Sequence, residues 1–268
     1  MSKPVRHILS LSGGKDSAAL AIHMRDRGLE MEYIFHDTGK ELPETYEYLG
    51  RLEAHLGQKI HKTTSGKSFE QWLKVYGEML PSNHRRWCTR MMKLKPFEEY
   101  IGEDPCFNYI GLRADEKRDG YISLKPNITP VYPFREDGLV KADIERILEE
   151  SSLGMPPYTE WGRTRSGCFF CFYQQKIEWV RLKETHPDLF EEAKSYEEPN
   201  KKGVTFLWNG EESLANLERP ERIEQIKLHH AEMKERERRN APNKTLLQVL
   251  GGAEDDYEGR ESCLMCHK

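Results

Sequence analysis

Six adjacent residues, Ser12-Gly13-Gly14-Lys15-Asp16-Ser17, carry the side chains that point most clearly to chemistry. The apolar run Ile8-Leu9-Ser10-Leu11 stops at the two glycines, and Ala18-Ala19-Leu20-Ala21-Ile22 continues as a helix. The expected order is strand, tight turn, helix N-terminus. Glycine lets the backbone turn sharply and approach a ligand closely. The N–H groups and dipole at a helix start favour an anion. Lys15 adds a full positive charge, and Asp16 is a candidate ligand for the Mg2+ that accompanies a nucleotide. The spacing differs from the Walker A loop, G-x-x-x-x-G-K-S/T, so a phosphate loop of another kind is expected.

The six cysteines are the second source of chemistry. Cys168-Phe169-Phe170-Cys171 and Cys263-Leu264-Met265-Cys266 are two C-x-x-C pairs. Such pairs ligate zinc or an iron–sulfur cluster through thiolates. The two lie far apart in the chain, and the second follows an acidic stretch from Gly251 to Gly259 that is expected to be flexible. One shared site and a separate redox-active tail both remain open. Cys88 sits among Arg85, Arg86 and Arg90, and basic neighbours favour the thiolate needed for ligation or attack. Cys106 lies among strand residues and is read as a core thiol.

These side chains need a frame. Strands are expected at Ile8–Leu11, Met31–Thr38, Lys59–Thr63, Cys106–Leu112 and Ile128–Phe134, alternating with helices at Ser17–Arg27, along Tyr46, Leu49, Leu52 and Leu56, and at Ser68–Met79. Alternation of this kind predicts an α/β fold with a doubly wound, mostly parallel five-stranded sheet. Ligands of such sheets bind at the carboxyl ends of the strands. The glycine loop, Asp37-Thr38-Gly39 and Arg113 all fall there. Residues 1–135 are read as the nucleotide-binding α/β domain and 136–268 as a helical C-terminal region holding the C-x-x-C pairs. The latter includes helices at Lys141–Glu150 and Arg219–Arg239, the second polar on nearly every side.

The chain has 268 residues, 37% hydrophobic and 32% charged, with a formal net charge of −4. That balance gives no general attraction to nucleic acid but allows a local basic track. Candidates are His84-Arg85-Arg86, Arg90 to Lys95, Arg163 and Arg165. No apolar run is long enough to cross a membrane, and Met1–Arg6 leads directly into the first strand. No membrane association and no secretory leader are expected, which makes the cytoplasm the default location.

The hexapeptide Ser12–Ser17 resembles the PP-loop of ATP pyrophosphatases, which cleave ATP between the α- and β-phosphates. Further motifs narrow the resemblance to the phosphoadenosine phosphosulfate (PAPS) reductase family. Asp37-Thr38-Gly39 with Pro43-Glu44-Thr45 resembles its D-T-G-x-x-x-P-E-T stretch, and Cys88 with Arg90, Lys93 and Pro96 its C-x-x-R-K-x-x-P segment. Gly111-Leu112-Arg113-Ala114-Asp115-Glu116 with Arg118 is similar to G-x-R-x-D-E-S-x-R, with Lys117 in place of serine. Gly167-Cys168 and Cys171 match G-C-x-x-C. The resemblance implies the adenine nucleotide alpha-hydrolase (HUP-like) fold. It places nucleotide phosphates on Ser12, Gly13, Gly14, Lys15, Asp16 and Ser17, the nucleoside near Asp37 and Thr38, and phosphate or sulfate oxygens before Arg113 and Arg118. It implies a [4Fe-4S] cluster on Cys88, Cys168 and Cys171, with Cys263 or Cys266 as fourth ligand; zinc is the alternative.

One departure bears on activity. Reductases of the family carry a reduced loop, typically S-F-G-A-x-D, whereas both glycines and Lys15 are present here. A lysine at that place has a purpose if β- and γ-phosphates are bound. The expected activity is therefore ATP cleavage to AMP and pyrophosphate, with Lys15, Asp16 and Arg113 as catalytic residues, to activate a substrate for sulfur transfer to DNA, to tRNA or to a small molecule. Mg2+ and ATP are the expected cofactors. A sulfur donor protein such as a cysteine desulfurase, a nucleic acid and a second copy of the chain are the partners this role allows. Two other readings stand beside it: a thiol-dependent PAPS or adenylyl-sulfate reductase, suggested by the terminal Glu261-Ser262-Cys263-Leu264, and a nucleotide-sensing subunit without turnover.

Overall fold

The computed structural model describes residues 4–117, 120, 123 and 125–240. Arg118, Cys263, Cys266 and the acidic stretch from Gly251 to Gly259 lie outside the described residues. The described residues form two units, one of residues 4–76 and 86–168, the other of Gly77–Arg85 and residues 169–240.

The first unit is built on five strands, β1 (Arg6–Leu11), β2 (Glu32–His36), β3 (Ile60–Thr63), β4 (Cys106–Tyr109) and β5 (Ile128–Val131). Their order in the sheet is β3-β2-β1-β4-β5, and every neighbouring pair is parallel. The expected doubly wound sheet is therefore present. Strands β2 and β5 are shorter than their apolar runs suggest. Thr38 folds back through a turn, and Pro133 opens the short helix that follows β5.

Parallel strands need crossovers, and helices supply them. Those between strands are α1 (Lys15–Asp26), α2 (Pro43–Leu56), α3 (Phe69–Val75), α4 (Trp87–Thr89) and α5 (Lys95–Ile101); α6 (Pro133–Glu136) and α7 (Lys141–Glu150) follow β5. The middle of helix α1, Ser17 to Ile22, is small or apolar because it is buried there between the sheet and α7. Ser68 starts α3 with a capping box closed by Gln71. The helix stops at Val75, short of the expected Met79, because Gly77 turns the chain with a positive φ. Leu9, Leu11, Tyr33, Phe35, Leu49 and Leu52 form the centre of the core.

The strand order reverses at β1. From there the chain builds outward to β2 and β3, then returns to add β4 and β5 on the other side. The crevice outside the carboxyl ends of β1 and β4 is the topological switch point, where ligands of this architecture bind.

In the second unit α8 (Lys176–Thr185) packs against α9 (Pro187–Ser195), and α11 (Pro220–Asn240) lies on α8. Between α9 and α11 comes α10 (Leu214–Leu217). Phe170 stacks on Trp208 at 4.8 Å, and the buried Glu197 carboxylate accepts the Trp208 N–H at 3.0 Å and the Leu214 N–H at 2.6 Å. Ile226 is buried on α11 while Leu228 is exposed, consistent with a helix that buries only a narrow stripe. No helix among the described residues is long and apolar enough to cross a membrane.

Candidate active site

The glycine loop joins β1 to α1 at the switch point. Gly13 takes a φ of +68°, and a Cβ there would meet Thr45 Cγ2 at 2.5 Å, so the turn admits only glycine. No side chain caps α1, because its N-cap is Gly14. The first-turn N–H groups therefore remain for an anion. Inside the loop, Ser17 Oγ donates to the Gly14 carbonyl at 3.0 Å and accepts the Ser12 N–H at 3.2 Å. Ser12 Oγ accepts the Gly14 N–H at 3.3 Å. The loop is thus pre-shaped by its own hydroxyls.

Lys15 lies in the first turn of α1. Burial lowers its pKa, and the neighbouring carboxylates of Asp16 and Glu145 offset part of that loss. Its nearest carboxylate oxygen, on Glu145, is 3.9 Å away. Asp16 accepts a hydrogen bond from Arg113 Nη1 at 2.6 Å. Arg113 Nε also reaches Asp115 at 3.0 Å, and Glu116 stands 3.4 Å from Nη1. Burial acts to lower the Arg113 pKa, and the Asp16, Glu116 and Asp115 carboxylates outweigh it and hold the guanidinium above its ordinary value. The two ends of the crevice, after β1 and after β4, are joined by this pair.

The loop after β2 supplies the third side. Asp37 Oδ1 accepts the Gly39 N–H at 2.8 Å and the Tyr46 hydroxyl at 2.7 Å, so this carboxylate shapes its own turn. Thr38 Oγ1 donates to Glu41 Oε1 at 3.2 Å and lies 3.3 Å from Cys168 Sγ. Glu41 and Cys168 also pair through their backbones as an antiparallel bridge. Beside Ser12, a small cavity is lined by Ser10, Leu11, Phe35, His36, Glu41 and Lys93. His36 is almost wholly buried. Desolvation, with the Lys93 charge adding to it, takes its pKa down to about 3 and keeps the ring neutral.

The segment from Arg163 to Cys168 closes over the glycine loop. Arg163 is 1% exposed and donates to the carbonyls of Arg165, Gly167 and Cys168 at 3.0, 3.2 and 2.8 Å. Placed in a surface basic track by its charge alone, it instead holds this strap from inside. Ser166 Oγ reaches Ser12 Oγ at 3.2 Å. Neither Ser166 nor Glu41 carries a local sequence signal, and both belong to the site.

No disulfide joins Cys88, Cys106, Cys168 and Cys171. Cys106 is buried, and burial pushes its thiol up to about 11, as a core thiol requires. Cys88 sits on α4, where Trp87 is stacked between Phe69 at 5.2 Å and Tyr76 at 5.1 Å. Arg90–Leu94 then forms a π-turn, which lets one additional residue fit before Pro96. Half-buried Cys88 and Cys168 lie in the first unit and half-buried Cys171 in the second. The donor type suits a thiolate-bound centre. Among the described residues, however, no three His, Cys, Asp or Glu side chains gather closely enough to hold a metal ion.

Residues 6–125 match the family described as phosphoadenosine phosphosulfate reductase domain. The protein MJ0066 of Methanocaldococcus jannaschii, itself uncharacterized, is 29% identical over 231 residues, which is 78% of this chain and 45% of that protein. A tRNA-specific 2-thiouridylase, MnmA, of Actinobacillus pleuropneumoniae serotype 5b is 29% identical over 127 residues, 42% of this chain and 32% of that protein. The phosphoadenylyl-sulfate reductase of Candida auris, solved as a phosphate complex, superposes with a TM-score of 0.49 at 16% identity, covering 62% of this chain and 82% of that one. The chain spans about half the length of the curated relatives it matches, 45% of MJ0066 and 45% of a second M. jannaschii protein, MJ0973. The glycine-lysine loop at the end of β1 thus lies within the stretch, residues 6–125, over which this chain is similar to the phosphoadenosine phosphosulfate reductase domain.

Proposed function

We propose that this protein binds ATP at Ser12–Ser17 and cleaves it to AMP and pyrophosphate, activating an acceptor as an adenylate for sulfur transfer. The observation that carries this reading is the intact Gly13-Gly14-Lys15 turn at the uncapped start of α1, in the crevice of the switch point. Backbone N–H groups and a partly buried ammonium there are suited to β- and γ-phosphates, whose charge grows as pyrophosphate leaves. Arg113, which donates to Asp16, would meet an α-phosphate oxygen through its guanidinium. When bound, Mg2+ would supply charge neutralisation for the departing pyrophosphate. Asp16 is its candidate ligand, and a site that keeps several waters and substrate oxygens needs only one or two carboxylates.

The acceptor oxygen would attack the α-phosphorus and release pyrophosphate. A sulfur nucleophile would then displace AMP. The sulfur would come from a donor protein, and similarity to a tRNA 2-thiouridylase favours a nucleic-acid acceptor. A [4Fe-4S] centre on Cys88, Cys168, Cys171 and one of Cys263 and Cys266 remains the resemblance's implication alone, since the three described thiols do not gather into a metal site, and no step above passes through it. The experiment is incubation with Mg2+ and α-labelled ATP, separating AMP from ADP. Formation of AMP with equimolar pyrophosphate supports the reading. ADP alone, or unchanged ATP with every acceptor class, sinks it.

The second reading is a thiol-dependent PAPS reductase, favoured by the family match over residues 6–125. Release of sulfite from PAPS in the presence of a reduced thioredoxin would establish it.

A further inference from the structure

A hydroxyl offers one donor and two acceptor positions. At Ser12 the acceptor positions are used from inside the protein: the Gly14 N–H donates to Oγ at 3.3 Å and the Ser166 hydroxyl donates to it at 3.2 Å. What remains to Ser12 is its own proton. Ser17 Oγ is 3.2 Å away and is the resting partner for that proton. Ser17 already spends its own proton on the Gly14 carbonyl.

Ser166 is fixed in turn. It is 1% exposed and flanked by carbonyls that the buried Arg163 guanidinium holds on both sides. Tyr158, in the same unit, is 1% exposed, and burial raises its pKa well above the ordinary tyrosine value, so it stays a neutral hydroxyl. Packing around Ser166 is close: a Cβ on Gly14 would stand 2.7 Å from Ser166 Oγ.

We propose that Ser166 and Ser12 form a buried hydroxyl relay that orients Ser12 as a hydrogen-bond donor to a nucleotide phosphate oxygen, making Ser166 a positioning residue of the site. The relay rests on the reading of Ser12–Ser17 as the nucleotide loop. It also gives the strap a role, because the segment that ends in Cys168 is the one that sets the phosphate loop. Ser166 acts through Ser12 and touches no substrate.

The test is a double-mutant cycle on ATP cleavage. Ser166→Ala raises the KM for ATP about five- to tenfold, the worth of one hydrogen bond, with a smaller change in kcat and an unchanged thermal midpoint. Ser166→Cys, which keeps the volume and gives up most of the hydrogen bond, does the same and stands in if the alanine variant does not fold. Ser12→Ala raises KM too, and adding Ser166→Ala to it brings no further rise. An unchanged KM in the Ser166 variants, or effects that multiply in full with Ser12→Ala, overturns the relay. ATP binding is measured separately by titration calorimetry. Wild-type protein that binds no ATP overturns the nucleotide-loop reading itself, whereas binding with Ser166 silent overturns only the relay.

Discussion

Arg113 Nη1 stands 2.6 Å from Asp16 Oδ1, and the pair ties the loop after β4 to the first turn of the helix after β1. Both side chains are about one-sixth exposed, at 16% and 15%. Removing either partner leaves a charge in a mostly dry crevice. Arg113→Ala or Asp16→Asn should each destabilise the fold by about 1–3 kcal/mol. The two substitutions together should cost less than their sum, as read by urea unfolding. Additive losses would show that the pair is not coupled. Arg113→Lys should recover stability more than activity, since an ammonium lacks the guanidinium fork.

Lys15 is the second case. Its ammonium is partly buried, and its nearest carboxylate oxygen, on Glu145, is 3.9 Å away. Lys15→Ala should abolish pyrophosphate release while shifting stability by no more than about 1 kcal/mol. A variant with wild-type turnover would remove Lys15 from the phosphate site.

His36 makes stability depend on pH. Its folded pKa, about 3, lies below the unfolded value near 6.5, so the unfolded chain binds more protons between those limits. The contribution is fully present above pH 6.5 and is lost as the pH falls toward 3. The slope should approach, at most, about 1.4 kcal/mol per pH unit. Thermal melts of His36→Asn should show a shallower acid slope than the wild type. Equal slopes would assign acid sensitivity to other groups.

The basic track is narrower than charge alone implies, because Arg163 is buried. Arg90 and Lys95 are exposed at either end of the π-turn. If the acceptor is a nucleic acid, binding should weaken steeply with salt, with a slope of about −0.9 per phosphate contact on duplex DNA. Arg90→Ala with Lys95→Ala should flatten that slope and leave ATP cleavage without acceptor intact. Binding unchanged by the double substitution would place the acceptor elsewhere or make it a small molecule.

The strand-loop-helix start of the chain is legible in the sequence because its signals are local. The apolar run, the glycines and the alanine-rich helix are contiguous, and alternating elements imply the parallel sheet that is present. The contacts that finish the site are not local. Ser12 and Ser166 are 154 residues apart in sequence, Asp16 and Arg113 are 97 apart, and Thr38 and Cys168 are 130 apart. Motif spacing can nominate Arg113 for an anion but cannot reveal that Asp16 holds it. Arg163 shows the limit of reading charge alone: carbonyls of its own strap satisfy a guanidinium that composition assigns to the surface.

The cysteine pattern is tested by chemistry. Anaerobically purified protein should contain iron and acid-labile sulfide in equal amounts, and Cys88→Ser or Cys168→Ser should lose both. Metal-free protein with full activity would leave these thiols other work.

The central claim is cleavage of ATP between its α- and β-phosphates. The direct measurement is pyrophosphate release from ATP and Mg2+ by the wild-type protein beside Lys15→Ala, with sulfite release from PAPS and reduced thioredoxin followed in parallel. The account predicts AMP and pyrophosphate in equal amounts from the wild type, neither from the variant, and no sulfite. Sulfite from PAPS with ATP left whole would contradict it.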